Sequence, residues 1–160
     1  MRRKEWKVRI YLETTVPNFL FADDAPEKKQ ITEVFFQWLQ VCAHELCVSP
    51  LVESEIEDAP EPKRSRLKNA LWSLPLTNVT IPLEADELAE AYLDGGAIPR
   101  RYEDDAFHVA IAVCQRVDVL VSWNLKHLVN PQRVERINRI NQRRGYPPIR
   151  LQTPAEVMGL

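Results

Sequence analysis

A chain of 160 residues, 45% hydrophobic and 28% charged, carries enough apolar material for one ordinary core. No apolar run approaches the roughly 20 residues that span a membrane, which excludes a transmembrane helix. Three cysteines, Cys42, Cys47 and Cys114, stand in apolar settings without paired metal-ligand spacing. They read as buried free thiols and exclude both a disulfide-built fold and a zinc cage. The formal charge of -2 does not mark a nucleic-acid binder by itself, although an acidic cluster inside a basic rim would give the same total. The opening Met1-Arg2-Arg3-Lys4-Glu5-Trp6 leads straight toward a strand instead of a signal-peptide core, so the expected location is cytoplasmic.

In chain order, Val8-Arg9-Ile10-Tyr11-Leu12 predicts a short central strand. Thr14-Thr15-Val16-Pro17 reads as a helix start, with a hydroxyl cap and a proline near the first turn. From 27 to 44, Ile31, Val34, Phe35, Trp38, Leu39 and Cys42 recur at helical spacing. Leu46-Cys47-Val48 predicts a second strand, and Ser49-Pro50 opens a helix to about Asp58. Ala59-Pro60-Glu61-Pro62 breaks the chain before a helix over 63–73, and Val79-Thr80-Ile81 is the candidate third strand. A helix over about 84–93 and the Gly95–Pro99 loop precede an apolar helix over 104–116. Residues 117–121 predict a fourth strand, 131–144 a helix and 149–151 a last strand, ahead of Thr153-Pro154-Ala155-Glu156. The alternation predicts a single α/β domain over 1–160, a parallel sheet sandwiched between helices.

Acidic and amide side chains stand where these apolar runs stop: Glu13, Glu55, the pair Asp104-Asp105, and Asn124. In an open α/β sheet, ligands gather at the carboxyl ends of the strands. Carboxylates converging there need a neutralising charge, for which a divalent cation and phosphodiester hydrolysis are the economical reading. Each residue also has a plain alternative. Glu13 would serve as a helix-dipole partner, and Glu55 as solvated surface beside Glu53, Glu57 and Asp58. Asp104 reads as the cap beside an inward Asp105, and His108 as a packed or supporting histidine. Asn124 suits a turn as well as a metal site. No Gly-rich phosphate loop and no Gly-x-Ser-x-Gly elbow is present.

Taken together, Ile10-Tyr11-Leu12-Glu13-Thr14-Thr15, Val48 to Ile56, Asp105-Ala106-Phe107-His108-Val109-Ala110 and Leu120-Val121-Ser122-Trp123-Asn124 resemble the PIN domain family, including its VapC-type toxins. The resemblance implies a PIN-like, Rossmann-like three-layer fold and a ribonuclease using Mg²⁺ or Mn²⁺. Carried over by motif, Glu13, Glu55, Asp105 and Asn124 are the expected catalytic residues, with Glu13, Asp105 and Asn124 on the metal. Thr14 and Ser122 match hydroxyl positions beside the site. Glu13 stands where the common pattern has aspartate, and Trp123 stands beside Asn124, where it would crowd the pocket.

RNA would enter over a basic rim, with Arg100 and Arg101 as the nearest cations and Arg133, Arg136, Arg139 and Arg143 along a later helix. Two rival readings stand beside the nuclease. One is a catalytically weak or inactive PIN-fold module that binds RNA or protein; the other is a metal-dependent phosphatase. A toxin would pair with a small antitoxin protein and form a homodimer, with no membrane role. Phe19, Leu20 and Phe21 are the expected exposed patch for such a partner.

Overall fold

The computed structural model describes residues 8–159, so the N-terminal Met1–Trp6 segment lies outside the described residues. Five short parallel strands form one sheet: β1 (Arg9–Leu12), β2 (Glu45–Val48), β3 (Leu76–Asn78), β4 (Val119–Val121) and β5 (Arg150–Gln152). Their spatial order is β3-β2-β1-β4-β5. The chain therefore builds outward from β1 to β3, then returns across the sheet to lay β4 against the other side of β1. That reversal leaves a crevice at the carboxyl ends of β1 and β4, the position where such sheets bind ligands. Register pairs Ile10 with Val119 and Leu12 with Val121, which brings Glu13 level with Ser122.

Helices cover the sheet: α1 (Thr15–Asn18), α2 (Pro26–Val41), α3 (Pro50–Glu57), α4 (Lys63–Trp72), α5 (Ala85–Asp94), α6 (Glu103–Cys114), α7 (Pro131–Arg143) and α8 (Pro154–Met158). The result is the expected three-layer α/β arrangement. Parallel strands covered on both faces read as continuous apolar runs, and Ile10, Tyr11, Leu12, Leu120 and Val121 are all buried. Burying each such side chain contributes on the order of 1.5–3 kcal/mol. α6 buries Ala106 and His108 through Val113 and leaves only its first turn open, so it acts as a core helix whose amino end meets the sheet edge. At the other end of the chain, Thr153 and Glu156 form a reciprocal cap that starts α8.

Four sequence expectations need correction. The third strand is Leu76–Asn78 and not 79–81; Ile81 is exposed, although the Val79 amide extends the ladder to the Val48 carbonyl at 2.9 Å. β3 is an edge strand, so pairing with β2 outweighs the weak strand preference of Asn78. Phe19–Phe21 forms a 3₁₀ turn whose side chains are half-buried, and Leu20 and Phe21 pack on the core. Asp104 is not a cap, because α6 starts one residue earlier at Glu103; Asp104 lies exposed in the first turn, where its charge favours the helix dipole. Of the three free cysteines only Cys47 is fully buried. Among the described residues, no helix is long and apolar enough to cross a membrane.

Candidate active site

Glu13 continues the β1 line beyond its last strand residue, its amide donating to the Val121 carbonyl at 3.2 Å. Its side chain is only 2% exposed. Oε2 accepts from the Thr15 amide, and Oε1 accepts from the Ser122 hydroxyl at 3.1 Å. Ser122 Oγ in turn accepts from the Asn124 amide at 2.9 Å, while Thr15 Oγ1 accepts from the Trp123 amide at 2.9 Å. These bonds lace the loop after β1 to the loop after β4, so the Glu13 carboxylate is fixed from both sides of the crevice.

Asp105 approaches from the first turn of α6, where Asn124 Nδ2 donates to its Oδ2 at 2.9 Å. The Asn124 oxygen is turned away, accepting from the His127 amide at 3.0 Å. Asn124 thus holds Asp105 through its nitrogen, which differs from the expected carbonyl ligand. Glu55, on α3, comes in from the opposite side of β1. Its Oε1 accepts from Thr14 Oγ1 at 2.6 Å and lies 2.5 Å from His108 Nε2. Thr14 and Ser122 thus each donate a hydroxyl hydrogen bond to one of these carboxylates, Glu55 and Glu13 respectively.

Burial is the largest influence on Glu13 and raises its pKa, as does the charge of Asp105; His108, the Thr15 amide and Ser122 oppose it without reversing it. Asp105 is likewise raised, first by burial and then by Glu55 and Asp104, against His108 and Asn124. Burial pushes Glu55 upward too, but the His108 bond and charge and the Thr14 hydroxyl outweigh it and hold Glu55 below its ordinary value. For His108, burial acts to lower the pKa, yet the Glu55 bond and the charges of Glu13, Glu55 and Asp105 raise it overall. Three carboxylates thus surround one imidazole 1% exposed, and two of them remain short of compensating charge.

Hard oxygen donors short of positive charge suit Mg²⁺ or Mn²⁺ in kind. Among the described residues, however, no three His, Cys, Asp or Glu side chains stand as a ready-made metal cage. Glu13, Glu55 and Asp105 each turn at least one oxygen onto a protein donor. Asp105 Oδ1 and Glu55 Oε2 accept no hydrogen bond within the described residues. As hard oxygen donors, Glu13 and Asp105 are the residues that could hold a divalent cation.

The basic rim is narrower than the sequence suggests. Arg100 is committed to Glu90 at 2.8 Å and to Asp94. Arg133 donates to the Gly96 and Ala97 carbonyls, and Arg139 pairs with Glu135 at 2.8 Å. Arg101 and Lys126 are exposed and have no carboxylate partner among the described residues. Arg101 lies 5.1 Å from the centre of the Tyr102 ring, which stacks on His127 at 3.8 Å. Trp123 does not crowd the site; its indole N–H donates to Thr32 Oγ1 at 2.9 Å inside the core. Tyr11, for which the local sequence suggests no site role, meets His108 Nδ1 and Ser49 Oγ through its hydroxyl at 2.7 Å each. The available signal was a tyrosine in a central strand, since a buried phenol needs a partner.

No protein-family model matches this sequence, and no curated protein matches it closely. Solved structures do match. One is a chain in the crystal structure of VapBC2 from Rickettsia felis bound to a DNA fragment from their promoter, similar with a TM-score of 0.54. That likeness covers 91% of this chain and 98% of the other at 12% sequence identity. Similarity at that identity is a similarity of fold, and it extends over nearly the whole of both chains.

Proposed function

We propose that this chain is a divalent-metal-dependent endoribonuclease whose centre is formed by Glu13, Glu55, Asp105 and Asn124. The observation that carries the reading is the buried Glu13 carboxylate beside the half-buried Asp105 carboxylate, both raised above their ordinary pKa, at the carboxyl ends of β1 and β4. A divalent cation there would supply the Lewis acidity that phosphodiester hydrolysis needs. Glu13 is held ready by Ser122 and Thr15, and Asp105 by Asn124. Arg101 and Lys126 would draw in the phosphate backbone of single-stranded RNA, a role that weakens as salt rises. The similar fold in the VapBC2 structure supports a toxin-type role and a protein partner for this chain.

Incubation of single-stranded RNA with the purified chain and Mn²⁺ tests the reading. Cleavage that disappears with EDTA, with Glu13→Gln and with Asp105→Asn is the expected result; intact RNA at high protein and metal concentration would overturn it. A second reading, a PIN-like module that binds RNA or a protein without cutting, draws support from the absence of a ready-made metal cage among the described residues. Retention of RNA without cleavage would favour that module.

A further inference from the structure

A buried chain of hydrogen bonds runs behind the acidic centre. Ser49, the residue between β2 and α3, meets the Tyr11 hydroxyl at 2.7 Å, and Tyr11 meets His108 Nδ1 at 2.7 Å. The far side of the imidazole meets Glu55 Oε1 at 2.5 Å. Tyr11, Ser49 and His108 are essentially sealed from solvent, whereas the Glu55 side chain is 31% exposed. The chain therefore starts in the core and ends at a carboxylate that opens to solvent, as the buried Glu13 does not.

The chemistry of the partners sets the tautomer. An ionised carboxylate only accepts, so the proton at the short contact belongs to His108 Nε2. Nδ1 then faces the Tyr11 hydroxyl, which can donate to it or accept from it, with Ser49 taking up the other end. Ring orientation is fixed independently by the edge-on packing of Tyr11 against His108, centroids 5.7 Å apart at 66°. On Glu55, both protein donors, His108 Nε2 and Thr14 Oγ1, converge on the same oxygen. Oε2 has no donor among the described residues and belongs to the solvent-accessible carboxylate.

We propose that His108, backed by Tyr11 and Ser49, is a positioning residue that locks Glu55 so that Oε2 alone is presented to the attacking water. This rests on the ribonuclease reading and deepens it: Glu55 orients water by accepting a hydrogen bond, and the cation is left to Glu13 and Asp105. A carboxylate held below its ordinary pKa stays ionised, so it accepts a hydrogen bond from water without readily taking the proton, in keeping with an orienting role. Removing a supporting partner of this kind lowers activity by about 10–100-fold.

The test compares His108→Gln, which keeps a donor near the Nε2 position, with His108→Leu, which removes it. Single-stranded RNA cleavage at saturating Mn²⁺ should show kcat lost in His108→Leu with KM for RNA unchanged, and most of the loss recovered in His108→Gln. Tyr11→Phe, which keeps the ring and deletes one hydroxyl, gives a smaller kcat loss and covers the case where His108→Leu does not fold. Nitrogen NMR of His108 reads the contact without any activity measurement: Nε2 should carry a proton at neutral pH, and its signal should move in Glu55→Gln. Unchanged kcat in a folded His108→Leu, or an unprotonated Nε2, overturns the proposal while leaving the nuclease reading intact. Absence of cleavage by the wild-type chain defeats the nuclease reading, and this role with it, even with the NMR signature in place.

Discussion

Asn124 meets Asp105 through its amide nitrogen, Nδ2 to Oδ2 at 2.9 Å, while its oxygen is held by the His127 amide. The orientation is set by the donor at the other end, so the amide neutralises part of the Asp105 charge in the absence of a cation. Asn124→Asp places a second carboxylate against Asp105, and like charges at that range disfavour ionisation of both. The variant should melt about 3–6 °C lower in EDTA. Mn²⁺ should then raise its melting temperature more than that of the wild type, since binding to the folded state alone adds stability. Thermal melts with and without Mn²⁺ check both signs.

Glu13 is the case where stability and activity pull apart. Its carboxylate is buried, and burial raises its pKa. Glu13→Gln keeps the shape, keeps an oxygen for the Thr15 amide and removes the buried charge. The metal-free protein should gain roughly 0.5–2 kcal/mol, read from denaturant unfolding, as strained functional sites do when relieved. RNA cleavage should fall by about 100-fold or more. Loss of stability together with full activity would contradict the assignment.

The His108–Glu55 pair gives a pH signature. His108 is raised above its ordinary value of 6.5, so its contribution is complete below that pH and fades as pH rises through the folded value. Glu55 is lowered beneath its ordinary 4.5, so its contribution is present above that pH and is lost as pH falls through the folded value. The pair therefore stabilises most between pH 4.5 and 6.5. The melting-temperature gap between wild type and Glu55→Gln, measured without metal, should be widest there and narrow toward alkaline pH.

Trp123 supplies a control that touches the fold alone. Its indole N–H has Thr32 Oγ1 as partner, and Thr32 hands its own proton to the Lys28 carbonyl at 2.6 Å. Thr32→Val leaves the buried indole donor unsatisfied and should cost about 1–3 kcal/mol. Urea unfolding followed by tryptophan fluorescence measures that loss, and RNA cleavage at temperatures well below the melt should be unaffected.

Much of the fold and part of the site were legible in the sequence. Apolar runs ending in Glu13 and Asn124 mark two strands that turn out to be neighbours, and the helical spacing of Phe35 and Leu39 marks α2. Local preference favours Val79 to Ile81 for the third strand, whereas the edge strand β3 is set by pairing with β2. The contact of His108 with Glu55 spans 53 residues and has no local signal. The same holds for Arg100, whose charge looks free in sequence and is spent on Glu90 and Asp94 across the turn after α5. The direction in which the Asn124 amide points depends on the His127 backbone and cannot be read from residue type.

Crystals of the chain soaked in Mn²⁺ and measured at the manganese absorption edge test the central claim most directly, that these acids act as one cation-holding centre. The account predicts an anomalous peak bounded by the Glu13 and Asp105 carboxylates, absent from Glu13→Gln crystals, with Glu55 still bonded to His108. Clean density with no peak between Glu13 and Asp105 at saturating Mn²⁺ would contradict it.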